Sequence, residues 1–269
     1  MTVEQALAAA HALGLSRLDA ALLLAHRMQQ RREWLIAHPE APVRPAALEA
    51  FEGDCRRRAD GVPLAYLTGR REFMGVELQI TADVLVPRPE TETLAAWAIE
   101  RLRAMGPSSR VIDLGTGSGA LALALAGACL DAEITATDCS AAALAVARAN
   151  AQRLGKRLRF AQGDWWSAVA GERFDLALAN PPYVAAGDPH LAALRHEPQH
   201  ALVAGPAGLD ALARIIEGAR RHLSGWLLLE HGWDQACEVQ RLLSQAGFAE
   251  IETRNDLNEL PRCTGARSG

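Results

Sequence analysis

The spacing of apolar residues predicts short helices over residues 1–72. Ser16, followed three positions later by Asp19, is typical of a helix start. The apolar positions around and after this start repeat at the interval of one helix face: Leu18, Ala21, Leu22, Ala25 and Met28. Residues 3–13 and 46–60 have similar spacing, and a proline-bearing stretch separates the predicted helices. We therefore expect a small helical bundle as the N-terminal domain.

After the helical stretch the period of the pattern changes to two. Apolar and polar residues alternate from Val76 to Ile80, and a turn signal at 81–83 precedes a second short apolar run. This pattern predicts a β-hairpin. We expect it to form a linker over residues 73–91, between the helical bundle and a second domain at 92–269.

The second domain alternates between helix and strand. Strands are predicted at 110–115, 133–138, 157–164, 174–180 and 225–232. Helices are predicted at about 92–104, 120–130, 142–155, 208–223 and 234–246. Such alternation is typical of an α/β fold with a mostly parallel sheet and helices on both faces. The final stretch, 256–269, predicts no more than a last strand with a frayed end.

Composition narrows the classes of function. The chain has 269 residues, of which 49% are hydrophobic and 22% are charged, and its formal net charge is -4. Because this charge does not favour neutralisation of phosphate, direct nucleic-acid binding is not expected. No apolar run approaches the roughly 18 residues of a membrane span, and the start does not resemble a signal peptide, so we expect a cytoplasmic protein. Five scattered cysteines predict neither disulfides nor a metal site.

A glycine-rich loop is predicted directly after the strand at 110–115. It consists of Gly115, Thr116, Gly117, Ser118 and Gly119. The third glycine follows the second after two positions instead of three, and no Lys-Ser or Lys-Thr pair follows, so the loop is neither a dinucleotide fingerprint nor a P-loop. Together with an acidic residue just before it and another at the end of the next strand, it resembles the motif of class I S-adenosylmethionine-dependent methyltransferases.

Acidic and aromatic residues at the ends of the next two strands strengthen this resemblance. Asp138 ends one strand, where a carboxylate can accept hydrogen bonds from both hydroxyls of a ribose. Asp164 and Trp165 end the following strand and can bind an adenine amino group and cover the ring. The alternatives are a helix cap for Asp138, a core position for Trp165 and a simple tight turn for the glycines. The occurrence of these residues together at successive strand ends favours a cofactor site.

The strand at 174–180 ends in Asn180, Pro181, Pro182 and Tyr183. A Pro-Pro step fixes two φ angles and cannot donate to a strand ladder, so the loop is expected to be rigid. The Asn180 side-chain oxygen and the Pro181 carbonyl can accept hydrogens from a planar NH₂ group, and Tyr183 can stack on that group. The alternative is a strand-terminating turn. The motif resembles that of the amino-methyltransferases, which act on adenine, guanine or glutamine nitrogen.

Several longer segments resemble the HemK/PrmC family, the glutamine N5-methyltransferases of peptide chain release factors. They are 61–75, 84–94, 196–212 and 227–235, beside the two loops described above. The resemblance implies a Rossmann-like class I methyltransferase sheet with an N-terminal helical-bundle domain that contacts the substrate. It implies S-adenosyl-L-methionine as cofactor, S-adenosyl-L-homocysteine as product, and the GGQ loop of class I release factors as partner.

The same resemblance assigns roles to individual residues. The cofactor-binding residues are Gly115, Thr116, Gly117, Ser118, Gly119, Asp138, Trp165 and Asn180. The substrate-binding residues are Asn180, Pro181, Pro182 and Tyr183, and the catalytic residues are Asn180, Pro181 and Tyr183.

Three alternatives remain open at this point. A sister family methylates a glutamine of a ribosomal protein and typically has Pro-Arg-Ser-Pro where this chain has Pro87-Arg88-Pro89-Glu90. A nucleic-acid amino-methyltransferase would need a basic surface or an RNA-binding appendage, which the composition does not indicate. A cofactor-binding protein without catalysis is disfavoured by the intact Asn180–Tyr183 motif.

Overall fold

Five helices form the first of two units, Met1–Arg70, in a computed structural model that describes all 269 residues. They are α1 (Val3–Ala12), α2 (Arg17–Met28), α3 (Arg32–Ala37), α4 (Pro45–Ala59) and α5 (Leu64–Thr68). The three longest confirm the predicted helices, but α2 buries Ala20, Leu23, Leu24 and Ala25, whereas Leu18 of the predicted face is exposed. Ser16 caps α2 as expected, because its hydroxyl accepts from the Asp19 N–H at 3.0 Å. The spacing missed α3 and α5, which are too short to show a repeating apolar face. The core contains Leu23, Leu24 and Phe51.

The hairpin lies earlier in the chain than the alternation predicts. It consists of β1 (Arg70–Phe73) and β2 (Val76–Gln79). Met74 and Gly75 form the turn with positive φ angles of 51° and 76°, which suit a two-residue hairpin. The run from Val84 onward is not its second strand, because the Val86 N–H donates to a carboxylate of a distant loop at 3.1 Å. The boundaries expected for the hairpin, 73–91, are therefore wrong.

A seven-stranded sheet forms the centre of the second unit, Arg71–Gly269. Its strands are β3 (Arg110–Leu114), β4 (Glu133–Asp138), β5 (Arg159–Gln162), β6 (Phe174–Ala179), β7 (Leu223–Glu230), β8 (Ala249–Asn255) and β9 (Pro261–Arg267). Its helices are α6 (Thr91–Met105), α7 (Ala120–Ala128), α8 (Ala141–Arg153), α9 (Asp210–His222) and α10 (Ala236–Gln245). The strand order is β5-β4-β3-β6-β7-β9-β8. The α/β prediction is confirmed.

The first five strands of this sheet are parallel, so their carboxyl ends share one edge. Leu114 at the end of β3 pairs with Thr137 of β4 on one side and with Ala179 of β6 on the other. The strand order reverses at β3, and open α/β sheets bind ligands at such a switch point. The side chains of Ile112 and Leu176 are buried, because helices cover both faces of a parallel sheet.

The C-terminal stretch forms an internal strand of the sheet. The last strand expected from the sequence is β9, which lies antiparallel between β7 and the edge strand β8. The buried residues of β9 include Thr264 and Ala266, which are small or polar, so no apolar alternation marked it as a strand. No helix of the chain is both long enough and apolar enough to cross a membrane.

Candidate active site

A cleft opens at the carboxyl edge of the sheet, around the ends of β3, β4, β5 and β6. It contains about 920 Å³ of space between atoms, part of it open to solvent. Eight residues that the sequence assigned to the site line it: Gly115, Thr116, Gly117, Ser118, Asp138, Trp165, Asn180 and Pro182. Residues from four separate strand ends therefore meet in one cleft, as the parallel topology requires.

The glycine-rich loop is fixed from behind by two buried polar side chains. Asp113, the residue before Leu114, accepts from the Thr116 hydroxyl at 2.6 Å and from the Ala122 N–H at 3.3 Å. Burial raises the pKa of the Asp113 carboxyl to about 7, and its Oδ1 has no hydrogen-bond partner. Asn150 of α8 donates to the Ser118 carbonyl at 3.0 Å. These contacts hold the loop backbone in place before any ligand binds.

Asp138 connects two backbone elements at the rim of the cleft. Its Oδ2 accepts from the Gly117 N–H at 2.9 Å, and its Oδ1 accepts from the Ser140 N–H at 2.9 Å. The helix cap that was considered for Asp138 belongs to Ser140, whose hydroxyl accepts from the Ala143 N–H at 3.2 Å. An ionised carboxylate has about four acceptor sites, so both oxygens of Asp138 retain capacity for a ligand.

Trp165 lies against the glycine-rich loop. A Cβ built on Gly115 would come within 3.0 Å of Trp165 Cζ3, so the indole ring covers this part of the strand end. Its neighbour Trp166 is instead buried and donates to the Ile215 carbonyl at 2.8 Å. Asp164 also lines the cleft and pairs with the Arg214 guanidinium. Of the two tryptophans, only Trp165 faces the space where a ring could stack.

Asn180 and Tyr183 are held by partners from other elements. Asn180 Nδ2 donates to the Thr91 hydroxyl at the start of α6, at 3.1 Å. The Tyr183 hydroxyl donates to Glu230 Oε1 at 3.3 Å, and the Tyr183 carbonyl accepts from Gln235 at 3.1 Å. Burial, followed by the nearby Glu230 carboxyl, raises the pKa of the Tyr183 phenol. The loop is thus oriented at both ends by side chains distant in the sequence.

Three of the expected site residues do not line the cleft: Gly119, Pro181 and Tyr183. Gly119 packs against α8, where its Cβ would lie 3.2 Å from Ala147 Cβ. Pro181 is buried, and the Tyr183 ring packs against the core of the sheet. The stacking of Tyr183 on a substrate amide therefore remains a prediction that would need the ring to move.

Residues that the sequence motifs did not indicate complete the cleft. They are Asp83, Val84, Leu85, Pro87, Thr91, Ala120, Leu121, Cys139, Ala143, Gly163, His200 and Ala201. Many of them lie in the segments 83–91 and 200–201. Glu197, close to the second segment in the chain, holds the first segment by accepting from the Val86 N–H at 3.1 Å and from the Arg88 guanidinium at 2.5 Å. The segment at 84–94 carried part of the family resemblance, and this resemblance was the sequence signal that could have indicated its residues as part of the site.

The residues of the cleft suit the chemistry of the expected nucleoside cofactor. Carboxylates at Asp138 and Asp164 stand beside apolar walls that include Val84 and Trp165. At Gly117 a Cβ would meet no atom within 4 Å, so the loop leaves open space that any larger residue would begin to fill. No group of three or more His, Cys, Asp or Glu side chains in the chain could hold a metal ion.

Comparison with known proteins gives consistent family matches. Residues 95–208 match the Methyltransferase small domain family, and residues 2–69 match the PrmC N-terminal domain. A release factor glutamine methyltransferase of Bordetella pertussis is 50% identical over 94% of this chain and 95% of its own. One from Xylella fastidiosa is 46% identical over 97% of both chains.

A solved structure supports the fold. The 16S rRNA N2 G1207 methyltransferase of T. thermophilus, solved with AdoMet and guanosine, aligns with a TM-score of 0.55 and 20% identity. The alignment covers 74% of this chain and 50% of that one. At this identity the likeness concerns the sheet and its helices alone.

Proposed function

Because the chain belongs to the release factor glutamine methyltransferase family, we propose that it methylates the side-chain nitrogen, N5, of the glutamine in a release factor GGQ loop. S-adenosylmethionine is the cofactor, as in other methyltransferases of this fold. The family predicted from the sequence motifs is confirmed by relatives that match almost the whole chain. The site residues, the GGQ loop and the N5 atom are the parts that this proposal adds.

One observation supports the proposal most strongly: the nucleoside cleft ends at an asparagine whose amide is already oriented. Asn180 Nδ2 is committed to the Thr91 hydroxyl at 3.1 Å. The Asn180 Oδ1 is therefore the atom that remains to accept a hydrogen from a substrate amide. Since Asn180 and Pro182 both line the cleft, a glutamine placed there lies beside the cofactor site.

In the proposed mechanism, the protein positions the cofactor and the substrate. When bound, S-adenosylmethionine supplies an electrophilic methyl group. We assign the glycine-rich loop, Asp138 and Trp165 to holding the nucleoside part in the cleft. Asn180 Oδ1 accepts one hydrogen of the glutamine NH₂ group. The Pro181 carbonyl, which does not line the cleft in this structure, accepts the other once the substrate displaces the loop. The two acceptors direct the nitrogen toward the methyl group. These acceptors also stabilise the positive charge that develops on the nitrogen, so no strong base is required before the proton is lost.

A methyl-transfer assay with an asparagine variant tests this proposal. Purified protein and labelled S-adenosylmethionine are incubated with a class I release factor, a ribosomal protein fraction or RNA. We expect label only on the release factor. Asn180→Ala should lower turnover on the order of 10²-fold, with cofactor affinity much less affected. Equal loss of turnover and affinity would show that Asn180 mainly binds the cofactor, and label only on a ribosomal protein or RNA would contradict the proposal.

The alternatives have less support. The curated relatives at 46–50% identity carry the release factor name, which disfavours a ribosomal-protein substrate. The net charge of -4 gives no support for direct nucleic-acid binding. We also propose that the helical unit at Met1–Arg70 makes additional contacts to the release factor. The cytoplasmic location expected from the sequence stays a prediction.

A further inference from the structure

A buried carboxyl group lies behind the Asn180–Tyr183 loop and has no part in the steps proposed above. Glu230 ends β7 and is fully buried (0% exposed). Its Oε1 accepts from the Tyr183 hydroxyl at 3.3 Å, whereas its Oε2 is buried without a hydrogen-bond partner. A buried acceptor without a donor destabilises the folded state, so this oxygen requires an explanation.

Thr91 can supply the missing hydrogen when Glu230 is ionised. Its hydroxyl accepts from Asn180 Nδ2 at 3.1 Å. Burial raises the pKa of the Glu230 carboxyl to about 7, and the nearby Thr91 hydroxyl lowers it in part. A hydroxyl has one hydrogen, so a Thr91 that donates to Glu230 can only accept from Asn180. The Asn180 amide must then present its NH₂ group to Thr91 and its Oδ1 to the cleft.

We propose that Glu230 is a positioning residue that fixes the orientation of the Asn180 amide through Thr91 and holds the Tyr183 hydroxyl directly. One buried carboxyl thereby orients both ends of the loop. Without it, the Thr91 hydroxyl is free to donate to Asn180 Oδ1, and the amide turns its NH₂ group toward the substrate NH₂ group. Two donors then face each other. The inference rests on the proposed function, because the amide orientation matters to catalysis only when the acceptor is a glutamine NH₂ group.

Side-chain NMR signals test the orientation without any substrate. The chain has four asparagines, so ¹⁵N-asparagine labelling gives four side-chain NH₂ pairs, and Asn180→Ala identifies the one of interest. We expect Thr91→Val and Glu230→Gln each to shift the Asn180 pair. Combining them should produce no further shift, because both changes interrupt the same connection. An Asn180 pair that stays at its wild-type position in Glu230→Gln would overturn the proposal.

Turnover on the release factor provides the second measurement. Thr91→Val and Glu230→Gln should each lower kcat by about 10- to 100-fold, as expected for a misoriented group, and leave cofactor affinity nearly unchanged. Thr91→Ser restores the hydroxyl and should recover most of the loss.

Thr264→Val is the matched control. Thr264 is also fully buried, and it hydrogen-bonds His231 and Thr253 at 2.8 Å, away from the cleft. It should retain wild-type turnover, and a Thr91→Val variant as active as this control would overturn the proposal. Wild-type protein without activity on a release factor would instead contradict the proposed function, and the NMR signals would still decide the role of Glu230.

Discussion

Adding one methyl group to either of two neighbouring glycines should have different consequences for folding and for cofactor binding. The glycines are Gly117 and Gly119, whose φ angles are 54° and 85°. Alanine costs about 1–2 kcal/mol in this left-handed region at either position. Their surroundings differ. A Cβ on Gly117 meets no atom within 4 Å, whereas one on Gly119 lies 3.2 Å from both Ala147 Cβ and Leu123 Cδ1.

The magnitudes follow from these surroundings. Gly117→Ala should lower the free energy of unfolding by the backbone cost alone, about 1–2 kcal/mol. Gly119→Ala adds overpacking of about 1–3 kcal/mol, for a total of about 2–5 kcal/mol. Cofactor affinity should change in the opposite order. The new methyl group at Gly117 occupies space in the cleft and should weaken binding about tenfold, equivalent to about 1.4 kcal/mol. The one at Gly119 faces α8 and should leave affinity near the wild-type value.

Two measurements on each variant are sufficient. Urea unfolding followed by circular dichroism gives stability, and titration calorimetry with S-adenosylmethionine gives affinity. Gly117→Ala with wild-type affinity, or Gly119→Ala with the larger loss of affinity, would refute the assignment of Gly117 to the cleft and of Gly119 to helix packing.

Three further predictions concern buried polar contacts. Tyr183→Phe leaves the Glu230 carboxyl without its donor and should lower the free energy of unfolding by about 1–3 kcal/mol; unchanged urea unfolding would contradict the 3.3 Å hydrogen bond. Glu197→Ala leaves the Arg88 guanidinium unpaired and should cost about 3 kcal/mol in the same assay, whereas Glu250→Ala, which breaks an exposed ion pair, should cost less than about 1 kcal/mol. Burial raises the pKa of Glu230 from 4.5 to about 7, so an unfolded chain releases this proton first as the pH rises. Wild-type stability relative to Glu230→Gln should therefore fall between these pH values, by at most about 1.4 kcal/mol per pH unit, and a flat difference in urea unfolding across this range would contradict the burial of the charge.

The parts of the site that the sequence predicted are those where chemistry and turn signal are adjacent in the chain. The glycine-rich loop and Asn180 each follow a buried strand directly, and parallel strands bring their carboxyl ends to one edge. No long-range information was necessary to place them together. The same holds for Asp138, which ends β4, and for Trp165, which follows β5 on the other side of β3.

The parts that escaped prediction depend on contacts between distant segments. Thr91 reaches Asn180 across 89 positions of the chain, and Glu230 reaches Tyr183 across 47. Whether the Tyr183 hydroxyl faces the cleft or the core is decided by that second contact, which no local pattern indicates. The insertion of β9 between β7 and β8 was also invisible, because its buried residues are small or polar.

The mass of one peptide tests the proposed activity most directly. Release factor is incubated with the protein and S-adenosylmethionine and then digested, and the peptide that contains the GGQ glutamine is analysed by fragmentation mass spectrometry. We predict one added methyl group, located on the glutamine side chain, and none when Asn180→Ala replaces the wild-type protein in a short incubation. An unmodified GGQ peptide, together with a methyl group gained by a ribosomal protein or by RNA, would contradict the proposed function.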